Sequence, residues 1–210
     1  MMRFLSIVIA CVFIAACSDK GTDAEEFNAA KVCPESKRGT FVDERDGRVY
    51  KYTTIGDQVW MAQNLNYEGD SYDVVCKYPE TDCEKEGRIY TWRSANEVCP
   101  DGWHLPSKQE WIILVNNMGG EEIAGHRLKT SQGWIPINDG ETEEHEDECD
   151  FSAYPTLNNV GSLDGYASAM WAINENGGTP VQVVIQSGWD AIKILDTFDY
   201  GNNPIRCVKN

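Results

Sequence analysis

The sequence is poor in positive charge. Its 210 residues include 18 Lys and Arg against 34 Asp and Glu, which gives a formal net charge of −16. Surfaces that bind nucleic acid neutralise phosphates with Lys and Arg, so this balance argues against nucleic acid and against an anionic membrane surface as partners. We interpret the excess of acid as a surface that keeps the protein soluble.

Motifs for catalysis or metal binding are also scarce. The three histidines, His104, His126 and His145, are scattered, and no serine has the flanking glycines of a nucleophile elbow. No two cysteines have the two-residue spacing of a zinc knuckle or a thioredoxin-like site. The acidic run 141–148 offers carboxylates for calcium, but it lacks the oxygen spacing and internal glycine of an EF-hand, so we interpret it as a solvated loop. The sequence therefore predicts no cofactor and supports no particular enzyme activity.

The apolar run at the N-terminus predicts export. Arg3 provides a positive start, and residues 4–16 are apolar but too few to span a bilayer. The run ends in Ile-Ala-Ala before Cys17, the pattern that lipoprotein signal peptidase cuts. We predict a signal peptide over residues 1–16 and an acylated Cys17 that anchors the protein to the membrane; the alternative is an ordinary secretory signal that ends in cysteine. Because aspartate does not follow Cys17 directly, we expect the outer membrane of the cell envelope.

Six cysteines remain once Cys11 is removed with the signal and Cys17 carries lipid. An even number in an exported protein suggests disulfides, because the envelope outside the cytoplasm is oxidising. Six cysteines allow fifteen pairings, and the sequence alone does not choose among them. We expect three structural bridges among Cys33, Cys76, Cys83, Cys99, Cys149 and Cys207.

Two regions of different composition follow the signal. Residues 17–37 are polar and acidic with no sustained apolar period, which predicts a flexible tether. Residues 38–210 have the length of one domain with a sizeable core.

Turn signals and apolar runs predict strands first, then two helices, then strands again. Arg45-Asp46-Gly47-Arg48 is a tight-turn sequence that predicts a hairpin between residues 40–44 and 49–55. Many Gly, Asn, Asp and Pro residues over 132–168 predict a long irregular segment, and such segments are usually functional or disordered. The other predicted elements are a turn at 56–57, a short helix at 92–98, and strands at 181–185, 191–195 and 205–208. This order favours an α+β fold over βαβ units.

The best-defined predicted element is a capped helix over residues 108–118. Ser107 and Glu110 have capping-box spacing, in which each side chain bonds the backbone amide of the other residue. Gly119 and Gly120 supply the stop. Apolar residues at spacings of three and four give the helix one apolar face, made of Trp111, Leu114, Val115 and Met118.

Several motifs follow one another from about Thr40 to Val208. They are Phe41-x-Asp43-x-Arg45-Asp46-Gly47-x-x-Tyr50-Lys51, Ile55-Gly56-Asp57-Gln58-Val59-Trp60-Met61-Ala62-x-Asn64-Leu65-Asn66-Tyr67, Gly87-Arg88-x-Tyr90-Thr91-Trp92, Cys99 to Trp111, and Arg206-Cys207-Val208. Together they resemble the Fibrobacter succinogenes major paralogous domain family. Members of that family are typically exported lipoproteins or modules of surface proteins, so the resemblance implies an envelope protein and assigns no activity.

A wider similarity concerns the fold. Gly102-Trp103-His104-Leu105-Pro106-Ser107-x-x-Glu110-Trp111 and the terminal Arg206-Cys207 are similar to motifs of the sulfatase-modifying factors, the formylglycine-generating enzymes, which have a C-type-lectin-like fold. This similarity implies an α+β, C-type-lectin-like domain with a small antiparallel sheet, two flanking helices, long irregular loops and stabilising disulfides. In that fold a cysteine near the second helix pairs with one near the C-terminus. The similarity therefore implies the bridges Cys99–Cys207, the local Cys76–Cys83 and, as the remaining pair, Cys33–Cys149.

The same similarity does not imply the enzyme activity. Oxidases of the formylglycine-generating kind need two reactive cysteines shortly before the terminal motif, and residues 150–206 contain no cysteine. Calcium-dependent sugar binding of the C-type lectin kind needs a Glu-Pro-Asn or Gln-Pro-Asp triplet together with Trp-Asn-Asp, and neither occurs.

Aromatic residues give the remaining indication of function. Flat aromatic faces stack on sugar rings while neighbouring Asn and Asp side chains bind hydroxyls. The candidates are Trp134, Trp171, Trp189, Asp190 and Asn174, which lie in the less patterned half of the domain. We therefore expect a non-catalytic module that binds a glycan, such as a polysaccharide, or another envelope protein. The alternatives are an enzyme of unknown reaction and a purely structural envelope protein.

Overall fold

The computed structural model describes residues 26–69, 74–76, 83–138, 144–156, 165–176 and 178–210. The predicted signal peptide at 1–16, Cys17 and the first part of the tether lie outside these residues. Within them, no helix is long and apolar enough to cross a membrane.

The described residues form an α+β fold of short helices and antiparallel sheets. The helices are α1 (Ala29–Val32), α2 (Cys83–Glu86), α3 (Trp92–Ala95), α4 (Lys108–Asn117) and α5 (Glu121–Leu128). The strands are β1 (Gly39–Val42), β2 (Val49–Ile55), β3 (Gln58–Met61), β4 (Val74–Val75), β5 (Ile89–Thr91), β6 (Trp103–His104), β7 (Ala167–Asn174), β8 (Thr179–Gln186), β9 (Ile192–Asp196), β10 (Asn202–Asn203) and β11 (Val208–Lys209). They pair in the orders β1-β2-β3-β11-β6, β10-β5-β4 and β7-β8-β9. The predicted fold class, α+β with small antiparallel sheets, is confirmed.

The predicted hairpins and the capped helix are also confirmed. Gly47 takes a positive φ of 75° between β1 and β2, and Val42 pairs with Val49 across the turn. At the start of α4, the amide of Glu110 donates to Ser107 Oγ over 3.1 Å, and the amide of Ser107 donates to Glu110 Oε2 over 2.8 Å. Both elements depend on contacts between residues close in sequence, which is why the sequence predicts them well.

Besides α4, the described residues include a second helix of eight residues, α5, which no sequence signal predicts. Its N-cap is Gly120, which has no side chain to cap the helix, and Gly125 in its middle lowers helix propensity. A Cβ on Gly125 would lie 2.4 Å from the carbonyl oxygen of Ala191, so glycine is needed for close contact between α5 and the loop before β9. The predicted helix at 92–98 is shorter, and α3 ends at Ala95.

The folded region begins before the boundary at residue 38 that the composition predicts. Asn28 caps α1 through its side chain, which accepts from the Lys31 amide over 3.1 Å. Phe27 and Val32 pack against the core, and the Gly56 amide donates to the Val32 carbonyl over 2.8 Å. The described end of the predicted tether is therefore part of the domain.

Aromatic residues make up much of the core. Trp60, Trp111 and Phe151 are fully buried and pack on one another, with ring centroids 4.7 to 5.9 Å apart. In a second cluster, Trp171 packs edge-on against Trp92 at 5.5 Å.

Disulfide bonds link distant parts of this core. They join Cys33 to Cys149, Cys76 to Cys83 and Cys99 to Cys207, which are the three pairs that the wider similarity implies. Cys33, Cys149 and Cys207 are buried. Two of the bridges close loops of more than a hundred residues, with separations of 116 and 108.

Candidate functional site

An open groove lies beside β2 and the loop that follows β3. It consists of two adjoining cavities of about 410 and 270 Å³ that share Lys51, Ala62 and Ser152 in their walls. Its lining residues come from segments far apart in sequence: 38–40, 51–52, 62–64, 84–85, 130–132 and 150–154, with Arg206. Part of this lining therefore belongs to the irregular segment that the sequence marks as functional or disordered.

Asp150 and Ser152, which line the groove, belong to a bend formed by residues 147–152. Three residues in this bend have positive φ: Asp147 at 43°, Asp150 at 48° and Ser152 at 54°. Aspartate enters this region more readily than most residues, but serine does so rarely. A non-glycine residue held in the left-handed region costs on the order of 1–3 kcal/mol and persists only where the surroundings impose it.

The surroundings impose this conformation from several sides. Arg206 donates from Nη1 to the Phe151 carbonyl and from Nη2 to the Ser152 carbonyl. Thr53 Oγ1 donates to the Cys149 carbonyl over 2.6 Å, and Cys149 is also tied to Cys33.

Arg38 holds the outer side of the bend. Its Nη2 donates to the Glu148 carbonyl over 2.6 Å, and its Nη1 lies 2.6 Å from the Asp150 carboxylate. The next residue, Ala153, pairs with the strand-like segment after α5, since its amide donates to the Leu128 carbonyl over 2.8 Å. The bend is therefore fixed by a disulfide, two guanidinium groups and backbone pairing.

Two largely buried ionisable groups, Asp147 within the bend and Arg206 bonded to it, have shifted pKa values. Burial raises the pKa of Asp147 to about 6, although hydrogen bonds from the Ser152 amide and hydroxyl, over 2.8 and 2.7 Å, act to lower it. Burial also lowers the pKa of Arg206 to about 9, while the Asp147 carboxylate acts to raise it. Arg206 therefore remains a buried cation at neutral pH.

The groove offers binding groups and no evident reactive set. Its walls present hydroxyls and amides from Thr130, Gln63 and Gln132 and the rings of Tyr52 and Tyr154. Among its described lining residues there is no histidine and no cysteine. Throughout the described part of the chain, no three His, Cys, Asp or Glu side chains are grouped so that they could hold a metal ion. Such walls suit hydrogen bonding and stacking against a polar ligand.

Two of the tryptophans predicted to bind ligand are buried instead. Trp171 has no accessible surface, and its indole N–H donates to the Tyr90 carbonyl over 2.7 Å. Trp134 is only 8 % exposed and lies under the Lys129 ammonium, 5.0 Å from the ring centroid. A ligand cannot stack on a buried ring, so the prediction that Trp171 and Trp134 bind ligand is wrong.

The other predicted residues do not form one site. Trp189 is 47 % exposed, with Asp190 exposed beside it in the loop between β8 and β9. Asn174 lies at the opposite end of β8, roughly 23 Å away for a strand of that length, where its Oδ1 accepts from the Asn176 amide over 3.1 Å in the β7–β8 turn. The structure therefore separates Asn174 from Trp189 and Asp190.

An exposed aromatic pair is absent from the sequence-based candidates. Phe198 and Tyr200 are 68 % and 74 % exposed, and their rings stack with centroids 5.5 Å apart. Their alternation around Asp199, in a segment rich in Gly, Asn and Asp, is the sequence signal that could have identified them. The groove residues carry no such local signal.

These features define an α+β domain, cross-linked by disulfides, with an open polar groove. The Fibrobacter succinogenes major domain matches residues 53–209, and the chain belongs to that family. No curated protein and no solved structure matches the chain. Lys51, Tyr52 and Arg38, which complete the groove, precede the matched region.

Proposed function

We propose that this protein is a lipoprotein of the cell envelope whose domain is a non-catalytic module that binds a glycan in the groove. The Ile-Ala-Ala-Cys pattern before Cys17 supports the lipid anchor. Three disulfides suit an oxidising compartment such as the bacterial periplasm or cell surface. The anchor favours the outer membrane, because aspartate does not follow Cys17.

The proposal includes a C-type-lectin-like arrangement of the domain. Support comes from the small antiparallel sheets, the motif that begins α4 and the bridge from Cys99 to Cys207 near the C-terminus. In such an arrangement the irregular loops carry the ligand surface, and here the bend and Tyr154 belong to those loops.

The bend at 147–152 is the observation that carries the proposal. A chain that holds three non-glycine residues at positive φ accepts a cost that a plain connecting loop does not need. Two of these residues, Asp150 and Ser152, line the groove, together with hydroxyl, amide and tyrosine groups that suit sugar rings. The absence of a histidine or cysteine among the described lining residues gives no support to nucleophilic catalysis there.

Binding of the purified chain to a panel of cell-wall and plant polysaccharides tests the proposal. Tyr154→Ala removes a ring from the groove wall, and Tyr200→Ala removes a more exposed ring outside the groove as a matched control. We expect a bound polysaccharide whose affinity falls about tenfold in Tyr154→Ala, since loss of an aromatic contact costs about 1–2 kcal/mol. The proposal fails if no polysaccharide binds, or if only Tyr200→Ala weakens binding.

The anchor is tested separately. Mass spectrometry of the protein from the membrane fraction is expected to show cleavage before Cys17 and a mass that includes acyl chains. Cys17→Ser is expected to release the protein into the soluble envelope fraction. An unmodified N-terminal cysteine in the isolated protein would contradict the anchor without bearing on the groove.

A further inference from the structure

The groove differs in charge from the rest of the protein. The chain carries a formal charge of −16. Yet the lining of the groove contains more cationic than acidic side chains: Arg38, Lys51, Lys85 and Arg206 against Glu84 and Asp150. The groove therefore has a local excess of positive charge on a protein that is acidic as a whole.

The two acidic residues of the lining are already paired. The Glu84 carboxylate accepts from Arg48, which lies outside the groove, and this pairing lowers the pKa of Glu84. The Asp150 carboxylate lies 2.6 Å from Arg38. Neither carboxylate is therefore free to neutralise Lys51 or Arg206.

Arg206 contributes a charge that the protein does not neutralise by direct contact. Its three described hydrogen bonds go to neutral oxygens: Asn64 Oδ1 over 2.9 Å and the carbonyls of Phe151 and Ser152. No carboxylate in the described part of the chain forms an ion pair with it. The Asp147 carboxylate, ionised above its pKa of about 6, offsets part of this charge without a direct contact. Arg206 therefore adds to a positive potential in the groove that rests mainly on the lysines of its lining.

Lys51 supplies the exposed cationic group of the groove. It lies in the shared wall of the two cavities. Its ammonium group has no ion pair or hydrogen bond with another described residue, since only its backbone amide is engaged, by Gln63 Oε1 over 2.9 Å. An exposed ammonium and a buried guanidinium that line the same cavity favour an anionic oxygen group in that cavity.

We propose that the ligand of the groove is an anionic glycan, whose carboxylate or phosphate groups lie against Lys51 in the cavity that Arg206 also lines. This inference rests on the proposed glycan-binding function and names the chemical class of its ligand. The tyrosines and amides contact the sugar rings, while the charged group of each repeating unit selects the polymer. A neutral polysaccharide lacks this charged group and should bind more weakly.

A matched pair of polymers tests the inference by calorimetric titration of the purified full chain. Polygalacturonate carries carboxylates, its fully methyl-esterified form has the same backbone without charge, and a phosphomannan carries phosphate instead. We expect at least one anionic polymer to bind about tenfold or more tightly than the neutral ester. The anionic polymer that binds identifies the source of the charge.

Two lysine variants complete the test. Lys51→Gln is expected to weaken binding of the anionic polymer about fivefold, the equivalent of about 1 kcal/mol for one exposed charge pair, and to change binding of the neutral ester less than twofold. Lys193→Gln, on β9 and paired with Glu121 outside the groove, is the control and should change neither.

The outcomes separate this inference from the proposed function. Equal affinity for charged and esterified polymers would overturn the anionic class and leave glycan binding intact. Equal losses in Lys51→Gln and Lys193→Gln would also overturn it, because they would show a general effect of net charge. Binding of no polysaccharide, charged or neutral, would overturn both.

Discussion

Removing the bridge between Cys33 and Cys149 is expected to destabilise the domain more than removing the local bridge. The first bridge spans 116 residues and the Cys76–Cys83 bridge spans 7. In the loop-closure description, a cross-link restricts the unfolded chain more strongly when it closes a longer loop, which gives about 5 kcal/mol for the long loop and about 2.5 kcal/mol for the short one. The double variants to Ala should therefore differ by roughly 2–3 kcal/mol in the free energy of unfolding.

The third bridge serves as a matched control for this comparison. The Cys99–Cys207 bridge spans 108 residues, nearly as many as Cys33–Cys149. The path from Cys33 to Cys149 through that bridge is slightly longer than the direct chain, so the remaining cross-links shorten the effective loop only modestly. Removing Cys99 and Cys207 should therefore cost about as much, on the order of 5 kcal/mol.

Urea unfolding under oxidising conditions, followed by tryptophan fluorescence, measures the three double variants against the parent. Removing a cross-link also exposes more surface in the unfolded chain, so the slope of unfolding free energy with urea should rise for the two long loops. Equal losses for all three variants, or a larger loss for Cys76→Ala/Cys83→Ala, would refute the reasoning from loop length. Native-state strain or residual structure in the unfolded chain would then govern these bridges.

Three further predictions concern single residues. The folded carboxyl of Asp147 holds its proton more tightly than the unfolded one. Its contribution to stability is therefore fully present below the unfolded pKa and falls by about 3 kcal/mol as pH rises from about 4 through the folded pKa of about 6. Asp147→Asn should remove this contribution, so its difference in stability from the parent should change with pH in urea titrations across pH 4–8; parallel profiles would contradict the prediction. Gly125→Ala should destabilise the domain by about 1–3 kcal/mol and lower its melting temperature, because the added Cβ would lie 2.4 Å from the Ala191 carbonyl oxygen. An unchanged melting temperature would show that α5 can shift away from the loop before β9. Trp171→Phe leaves the buried Tyr90 carbonyl without its donor and should lower the free energy of unfolding in urea by about 2–3 kcal/mol. Trp189→Phe changes an exposed ring and should alter the free energy of unfolding by no more than about 0.5 kcal/mol. Similar losses in both variants would contradict the assigned burial.

The elements that the sequence predicts well are those specified by near neighbours. The capping box of α4 needs only Ser107 and Glu110, and the first hairpin needs only Gly47 between two alternating segments. The helix α5 lacks such signals. Gly125, which weakens its helix propensity, is explained by contact with the loop before β9, which is 66 residues away in sequence. Tertiary packing overrides local propensity at that position.

Burial separates tryptophans that the sequence treats alike. Trp171 and Trp189 both follow the patterned half of the chain, but Trp171 lies within β7 against Trp92, and Trp189 lies in a loop. Pairing of β7 with β8 and its packing against the second cluster decide the difference, and neither is visible in a window around Trp171. The groove is hidden for the same reason, because its walls come from segments that meet only in the folded chain.

The position of Cys33 links the predicted anchor to the groove. Ten residues separate the acylated position proposed at Cys17 from Phe27, where packing against the core begins. A chain of that length reaches at most about 35 Å, and six residues beyond Phe27 the disulfide from Cys33 joins the bend beside the groove. The lipid position proposed at Cys17, the folded start of the domain and the bend beside the groove are thus connected by one short covalent path. If Cys17 carries lipid, the folded domain begins within about 35 Å of the membrane surface, so the groove reaches ligands within about that distance plus one domain diameter. This geometry favours a polymer that belongs to the envelope or contacts it, rather than a ligand that remains far from the membrane.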